Sequence, residues 1–564
     1  MMKTCPKCKR VYNDASLNFC LEDGEWLAED SESVENPTVI LTPEIPEDEG
    51  FTRKFSAGTS TTDAQHAEIS DHHASKKSWL AIGGFSLVIF ALVGVGAYLL
   101  YPRTSRAAIR SIAVMPFTNE SGAADVEYLS DGISESLINS LSKIPNLNVK
   151  ARSTVFRYKG QEVDPATVGK EMSVQAVLNG RVVQRGEDLA VYLSLVDTNS
   201  GDQIWGEDYQ RKLSELVTLQ KEITRDVSGK LQVRLSEPEA QKVTKNFTEN
   251  AEAYQLYLRG RHHLLKSTPP EIDKSIDYFQ QAIEIDPLYA MAYVGLADAY
   301  RAPGAERFPA EALSKSKAAA QRAIQLDDGL ADAHAILGFI IFWYEWNWGE
   351  SEKELRRAID LDAKNADAHL FYAHLLSNLG RSQESLVEAQ RARELDPLNV
   401  RTNALEGQFL LHAGQIDAGM ARLAATKELD PNNWMAHLFS TSGYIEKGMY
   451  AEAIAEGRKT NEIQPHSRSF SFLGYALAKS GDKESARIEL KKLLEESRDR
   501  WVSPYSIALV YLGLDDKDEA LTWLERGLSQ RDPRMVFLKV EPKLNAVRSD
   551  PRFQKIFRAV GLPE

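Results

Sequence analysis

The chain has 564 residues, a length typical of several domains rather than one. Its formal net charge of −14 argues against a broad nucleic-acid-binding surface, and its 43% hydrophobic content excludes a wholly disordered chain. All three cysteines lie within the first 20 residues, which excludes disulfide-crosslinked domains and a thiol nucleophile in the rest of the chain.

The N-terminal segment, residues 1–27, carries a pattern of metal ligands. Cys5 and Cys8 are spaced as a CxxC knuckle, and Cys20 begins a second knuckle in which Asp23 stands where a fourth cysteine is usual. Three thiolates and a carboxylate can coordinate zinc tetrahedrally. The segment resembles the short zinc-ribbon domains at the N-termini of many bacterial membrane proteins, which implies zinc as a cofactor bound by these four residues. A ribbon that folds without metal and a redox-active CxxC pair are the alternatives.

Residues 28–78 are predicted to form a disordered acidic and polar linker. The stretch up to residue 49 contains acidic side chains and prolines but no lysine or arginine, so like charges keep it solvated. An apolar stretch without a charged residue follows at residues 79–101, long enough as a helix to cross the ~30 Å hydrocarbon core of a membrane. Tryptophan and tyrosine residues stand near its ends, as is typical of the headgroup layer. These features predict one transmembrane helix.

Two observations on the orientation of this helix point in opposite directions. Basic residues flank both of its ends, with a slight excess on the C-terminal side that favours a cytoplasmic C-terminal part. Metal-binding thiolates instead favour a reducing compartment for the N-terminus. We expect a single-pass protein of a bacterial inner membrane, with the N-terminus in the cytoplasm and the C-terminal domains outside it.

Residues 110–237 show the alternation of strands and helices of an α/β domain. Short apolar runs between polar residues predict strands, and apolar residues at helical spacing predict helices. The predicted elements, in chain order, are a strand at 111–117, a helix at 126–144, a strand at 147–151, a helix at 164–172, three strands at 176–184, 189–196 and 203–209, and a helix at 214–235.

This part of the chain resembles the TolB-like N-terminal domain that precedes tetratricopeptide arrays in bacterial multidomain proteins. The resemblance is carried by IAVMPF at residues 112–117, YLSDGISE at 128–135, VLNG at 177–180, and Ile204, Trp205 and Tyr209. It implies a binding or assembly module without established catalysis. Asp131 could be suspected as a nucleophile or metal ligand, but we interpret it as a residue that caps or turns the helix. We interpret Gly132 as a residue that avoids a clash.

The C-terminal half repeats with a period of 34 residues. Its loop markers Asp362, Asp396, Asp430 and Gln464 are each 34 residues apart, and a proline follows the last three. A small residue stands twelve positions before each proline position, namely Ser275, Ser316, Ser351, Ser385, Gly419, Ala453, Ala486 and Ala520. Two antiparallel helices per repeat explain the pattern, because small residues let helices cross closely and proline is tolerated in the first turn of a helix.

The period and the small-residue crossings resemble the tetratricopeptide repeat family. This implies about eight helical hairpins over residues 250–532, whose concave face binds a segment of a partner protein. A spacing of 41 residues in the second repeat predicts an insertion around residues 301–309. Thr426 and Thr460 stand where earlier repeats have alanine, which predicts looser packing there. Residues 533–564 are predicted to be a pair of capping helices.

Residues 342–348 read FWYEWNW and invite comparison with an aromatic ligand-binding surface. In the frame of the repeat, Trp346 stands in the turn where glycine is usual. We interpret these aromatic residues as filling the space between the helices of their repeat. Trp343 and Tyr344 are the first candidates for contact with a ligand.

The predicted fold class is therefore multidomain: a small zinc-ribbon-like domain, a single transmembrane helix, an α/β domain and an all-α tetratricopeptide solenoid. No P-loop, HExxH, GxSxG or GxGxxG motif is present. We predict a non-enzymatic, membrane-anchored scaffold that binds protein partners. The alternative is a transmembrane signal transducer of CadC-like organisation whose ribbon end reports to the cytoplasm. The partner's identity and any small-molecule ligand stay open.

Overall fold

The computed structural model describes residues 109–122, 124–231, 236–237, 248–302 and 309–564, and the backbone of three short strands nearer the N-terminus. The chain divides into two compact units, Met1–Arg103 and Thr104–Glu564. In the first unit, an antiparallel sheet has the strand order β2-β1-β3 and consists of β1 (Lys3–Thr4), β2 (Val11–Tyr12) and β3 (Ala28–Glu29).

The second unit begins with an α/β domain, as predicted. Its sheet has the order β6-β4-β7-β8-β9, and β5 pairs with β7. The strands are β4 (Ser111–Val114), β5 (Thr118–Asn119), β6 (Asn148–Val149), β7 (Ala176–Arg185), β8 (Asp188–Asp197) and β9 (Gln203–Lys212). The helices are α1 (Glu127–Ser142), α2 (Arg152–Phe156), α3 (Pro165–Met172) and α4 (Leu216–Lys230). The sequence analysis missed β5 and α2, which have only two and five residues.

The sheet combines a parallel part with an antiparallel meander. β4 runs parallel to β6 and β7, whereas β7, β8 and β9 pair antiparallel through tight turns. Position 180 in β7 requires glycine for a steric reason, because a Cβ atom there would lie 2.6 Å from the ring of Phe117. Two of the motifs that carry the family resemblance are thus in direct contact.

The repeat array follows as eight hairpins in the described part of the chain, and it confirms the 34-residue period. The hairpins are α5 (Ala251–Leu265) with α6 (Pro269–Ile285), α7 (Ala290–Arg301) with α8 (Pro309–Leu326), α9 (Ala331–Ile340) with α10 (Trp348–Leu361), α11 (Ala366–Asn378) with α12 (Ser382–Leu395), α13 (Val400–His412) with α14 (Ile416–Leu429), α15 (Trp434–Glu446) with α16 (Tyr450–Ile463), α17 (Ser467–Ser480) with α18 (Lys483–Asp499), and α19 (Pro504–Gly513) with α20 (Lys517–Ser529). The predicted insertion lies between α7 and α8.

The small residues of the repeat lie where two helices cross. Ser316, Ser351 and Ser385 are buried, and each hydroxyl donates a hydrogen bond of 2.6–2.8 Å to a carbonyl oxygen of the preceding helix. Thr426 and Thr460 are also fully buried, and their hydroxyls donate to carbonyl oxygens of their own helices. Both threonines thus stay buried with their hydroxyls bonded, and looser packing in these repeats stays a prediction.

The last part of the chain, residues 533–564, is called the C-terminal segment below. It consists of two 3₁₀ turns (Pro533–Phe537 and Pro542–Val547) and one α-helix, α21 (Pro551–Val560). The predicted pair of helices is therefore wrong. Each element begins with an acidic residue followed by proline, and the acidic side chain accepts a hydrogen bond from the backbone N–H two residues on. Because proline cannot continue a helix, three acid–proline pairs spaced nine residues apart keep the elements short.

Candidate protein-binding groove

The first helices of consecutive hairpins pack side by side along the array. From the end of α9 to α19 they contact the C-terminal segment, and we call this contacted surface the groove. The repeat pattern predicts that a segment of a partner protein binds to the concave face of the array. In the structure, the groove holds a segment of the chain itself.

Phe537 is the central apolar contact between the C-terminal segment and the groove. Its side chain is only 2% exposed. Its ring centroid lies 5.6 Å from that of Trp343, 6.1 Å from that of His374 and 5.8 Å from that of His412. The guanidinium of Arg468 lies 5.0 Å from the same ring. Side chains from four hairpins therefore surround one residue of the segment.

A buried ion pair adds a polar contact further along the segment. The side chain of Lys543 is 1% exposed, and its Nζ lies 2.9 Å from Glu541 Oε1 and 2.8 Å from Ser442 Oγ in the groove. Burial alone would raise the pKa of Glu541, but the Lys543 ammonium outweighs this and lowers it. Both partners of the pair belong to the C-terminal segment, so the polar contact that joins them to the groove is the hydrogen bond from Lys543 Nζ to Ser442 Oγ. Another register would remove this hydrogen bond, so it favours the observed one.

The groove also contains titratable groups that the segment shields from water. Burial raises the pKa of Glu446 to about 7 and lowers that of His412 to about 4. Burial also lowers the pKa of His374 well below its usual value. At neutral pH both histidines are therefore neutral, and they pack against the segment as aromatic rings.

Both ends of the C-terminal segment bond to the third hairpin, which lies far from them in sequence. Arg531, just before the segment, donates hydrogen bonds to the carbonyl oxygens of Tyr344 and Glu345 in the third hairpin. At the other end, Trp348 Nε1 donates to the carbonyl oxygen of Val560 at 3.2 Å. The segment also packs against the last hairpin, as expected of a cap.

The aromatic residues singled out from the sequence fill the third hairpin, as predicted. Phe342 and Trp346 are buried, and Trp346 has a left-handed backbone conformation (φ 57°) in the turn. A single π-helical turn, Ile341–Glu345, precedes it. Trp343, a first candidate for ligand contact, stacks on Phe339 at 5.4 Å and faces the C-terminal segment.

The α/β domain packs on the first hairpin through two buried carboxylates of α1. Glu135 accepts hydrogen bonds from Arg261 Nη2 at 2.7 Å and Nε at 3.1 Å, and Arg152 lies 3.0 Å away. Asp131 bonds to Lys159 at 2.6 Å and lies 3.2 Å from His262 Nδ1. Burial acts to raise the pKa of both carboxyls, but these partners outweigh it and lower them.

These contacts correct the interpretation of Asp131 and confirm that of Gly132. Asp131 lies inside α1, which begins at Glu127, so it does not cap the helix. A Cβ atom at Gly132 would lie 2.9 Å from Leu258 of α5, so this glycine permits close contact with the array. A second contact is made by Lys364, whose Nζ donates to carbonyl oxygens of Ser142, Ile144 and Leu147 after α1, where a cation is favoured by the helix dipole.

The predicted zinc ligands Cys5, Cys8, Cys20 and Asp23 lie outside the described residues. The predicted transmembrane span at 79–101 lies outside them as well. Within the part that the structure describes, no group of three or more His, Cys, Asp or Glu side chains is arranged to hold a metal ion. None of the described helices is both long and apolar enough to cross a bilayer.

The sequence analysis missed a repeated histidine–glutamate pair. In three hairpins, Nδ1 of a histidine on the first helix bonds to a glutamate on the second, and Nε2 bonds to a backbone carbonyl oxygen in the loop before the first helix. The pairs are His334 with Glu354, His369 with Glu388, and His437 with Glu456. The hydrogen bond that His437 donates to the Glu456 carboxylate raises the pKa of His437. The sequence contained a signal for these pairs, because His369 lies about one repeat after His334 and His437 lies two repeats after His369.

The α/β domain is similar to a domain found in known regulators. Residues 108–226 match the family model for the second domain of HilA/YgeH-like transcriptional regulators. A Rhizobium meliloti (strain 1021) protein named "Putative adenylate cyclase 3" is 30% identical over 236 residues, which is 41% of this chain. The chain spans only 40% of that relative's length.

Solved structures of repeat proteins are also similar to parts of the chain. YrrB, a tetratricopeptide protein with an unusual peptide-binding site, is 23% identical, covering 34% of this chain and 95% of its own, with a TM-score of 0.24. Pseudomonas aeruginosa PilF is 20% identical, covering 37% of this chain and 91% of its own, with a TM-score of 0.30. The tetratricopeptide-like assignment of the array rests on the 34-residue hairpin geometry of the chain itself.

Proposed function

We propose that this chain is a non-enzymatic scaffold that binds partner proteins through its repeat array. The span at residues 79–101 anchors it in a bacterial inner membrane as a single-pass protein, with the array outside the cytoplasm. The N-terminal segment binds zinc through Cys5, Cys8, Cys20 and Asp23. The TolB-like α/β domain and the array act as one binding unit.

The occupied groove carries this proposal. The C-terminal segment lies in it as a bound peptide would, with one aromatic side chain enclosed by four hairpins and one lysine in a buried ion pair. A groove that binds a segment of its own chain has the shape and polarity to bind a similar segment of another protein. A partner that uses this surface competes with residues 533–547, so it offers an aromatic side chain followed by a lysine.

The α/β domain supports the same proposal from the other end of the array. Two buried carboxylates of α1, Asp131 and Glu135, bond to the first hairpin or lie beside it. Separating the domain from the array would take Arg261 away from Glu135 and His262 away from Asp131, while Arg152 and Lys159 of the domain itself stay beside them. The lost contacts favour the joined arrangement, so we expect the domain to move together with the first hairpin.

The test is crosslinking of the full chain in its native membrane, with mass spectrometry of the linked peptides. We expect one discrete partner whose crosslinks map to the first helices of the hairpins. A Phe537→Ala variant, which weakens the segment's hold on the groove, should raise the yield of that partner. If the array shows no discrete crosslinked partner in either form, the scaffold proposal is wrong.

A second candidate function is the signal transducer of CadC-like organisation. The match of residues 108–226 to a domain of HilA/YgeH-like regulators favours it. A transducer changes its cytoplasmic contacts when the far side binds a ligand. Crosslinks formed by residues 1–78 should therefore differ between the wild-type chain and Phe537→Ala, whereas a passive scaffold would give the same crosslinks in both.

A further inference from the structure

Two arginines beside the start of the C-terminal segment make no direct ion pair among the described residues, and the carboxylates whose charges act on them are Glu541 for Arg468 and Asp532 for Arg534. Arg468 on α17 is enclosed by the rings of Phe439, Phe472 and Phe537, with its guanidinium 5.0–5.3 Å from their centroids. Arg534 lies three residues before Phe537 in a 3₁₀ turn, where residues three apart share one side. Among the described residues, no carboxylate oxygen lies within 4 Å of either guanidinium. Burial lowers the pKa of both arginines, because a buried cation is costly unless an anion joins it.

Two neutral groups next to these arginines also lack a hydrogen-bond partner. Tyr505 is 2% exposed, its ring lies 6.5 Å from that of Phe537, and its buried hydroxyl has no partner in the described structure. His466 Nδ1 accepts a hydrogen bond from the backbone N–H of Ser469, which leaves the ring proton on Nε2. That Nε2 atom is buried and likewise has no partner among the described residues. Burial and the charge of Arg534 lower the pKa of His466 to about 3, so the ring is neutral.

The nearby carboxylates are already engaged elsewhere. Asp532 accepts hydrogen bonds from Ser503 Oγ and from the backbone N–H groups of Tyr505 and Arg534. Glu541 is paired with Lys543. The four side chains thus offer two guanidinium groups, a phenol hydroxyl and an imidazole N–H as hydrogen-bond donors.

We propose that Arg468, Arg534, Tyr505 and His466 form a binding site for a phosphate dianion, either free phosphate or the monoester of a small molecule. Two guanidinium charges match the two negative charges of the dianion, and guanidinium groups bind phosphate oxygens with favourable geometry. A monocarboxylate would leave one cation uncompensated. This inference goes beyond the scaffold function and does not depend on it.

A ligand in this site would affect how tightly the C-terminal segment binds to the groove. Arg534 belongs to the C-terminal segment, whereas the other three residues belong to the array. A phosphate that contacts both parts binds the docked segment more tightly than the undocked one. By linkage, it holds the segment in the groove.

The test is isothermal titration of the full chain with inorganic phosphate, with glycerol phosphate as the monoester and acetate as the monoanion. We expect saturable binding of inorganic phosphate or of the monoester, and no saturable binding of acetate. The tighter of the two phosphates shows whether the site binds free phosphate or a phosphate monoester. Arg534→Gln should weaken binding by about tenfold or more, and Tyr505→Phe by about tenfold, since each removes a hydrogen bond to a charged group. Arg526→Gln is the matched control, because that arginine lies on the exposed side of α20 over Trp523.

Hydrogen exchange gives a second readout that needs no variant. At a phosphate concentration ten times the Kd, exchange of the amides in residues 535–550 should slow by about tenfold. The proposal is overturned if neither phosphate nor its monoester saturates the wild-type chain. It is equally overturned if Arg534→Gln and Tyr505→Phe both bind as the wild type does.

Discussion

Replacing Phe537 by alanine should release the C-terminal segment from the groove without unfolding the array. The ring is 2% exposed and is enclosed by side chains of several hairpins, so its removal costs ~3–5 kcal/mol of docking free energy. At 1.4 kcal/mol per factor of ten, the undocked population rises by roughly two to three and a half powers of ten. Hydrogen exchange of the full chain measures this directly, because the amides of Leu538 and Glu541 are bonded within the segment.

The matched control for this variant is Phe279→Ala in the first hairpin. Phe279 is fully buried, so the loss of apolar burial is of the same size, but its ring packs within the first hairpin, 5.9 Å from that of Tyr257. The control should accelerate exchange in α5 and α6 and leave residues 535–550 unchanged. If Phe537→Ala does not accelerate exchange of residues 535–550, or accelerates all amides equally, the segment is not a separately docked element.

Three further predictions concern other parts of the chain. The pKa of Glu446 is raised to about 7, so between pH 4.5 and 7 the folded chain keeps a proton that the unfolded chain releases. The free energy of unfolding should therefore fall by at most about 3 kcal/mol over this pH range. Denaturant unfolding of Glu446→Gln should lack this fall. Gly132→Ala should lower the free energy of unfolding by ~1–3 kcal/mol, because the added methyl group clashes with the first hairpin. Gly229→Ala should instead stabilise α4 by ~0.5–1 kcal/mol, because a Cβ atom there has open space around it. Thermal unfolding of both variants measures the two effects. Metal analysis of the purified chain should find one zinc ion, lost on Cys5→Ser and bound more weakly on Asp23→Ala, and a metal content unaffected by either change would exclude the predicted ligand set.

The regular elements could be predicted because local pattern decides them. The 34-residue spacing of Asp362, Asp396 and Asp430 marks the boundary between hairpins, and each lies directly after a second helix in the structure. The strands of the meander likewise follow from apolar runs bounded by tight turns. Such features depend on residues close in sequence.

The occupied groove could not be predicted because its contacts join residues far apart in sequence. Phe537 meets Trp343 and His374 across more than 160 positions, and no local period encodes that meeting. The helix pair expected in the C-terminal segment failed for a local reason that was visible in the sequence. The acid–proline pairs at Glu541–Pro542 and Asp550–Pro551 end the two preceding elements after about two turns, which leaves α21 as the one α-helix of the segment.

The most direct test of the central claim is a photocrosslink from position 537 itself. Benzoylphenylalanine at Phe537 keeps an aromatic ring there, and mass spectrometry then identifies the peptides that it joins. If the C-terminal segment occupies the groove, the adducts lie within the same chain at Trp343, His374 or His412. Adducts confined to other regions, or to a second copy of the chain, would contradict the account.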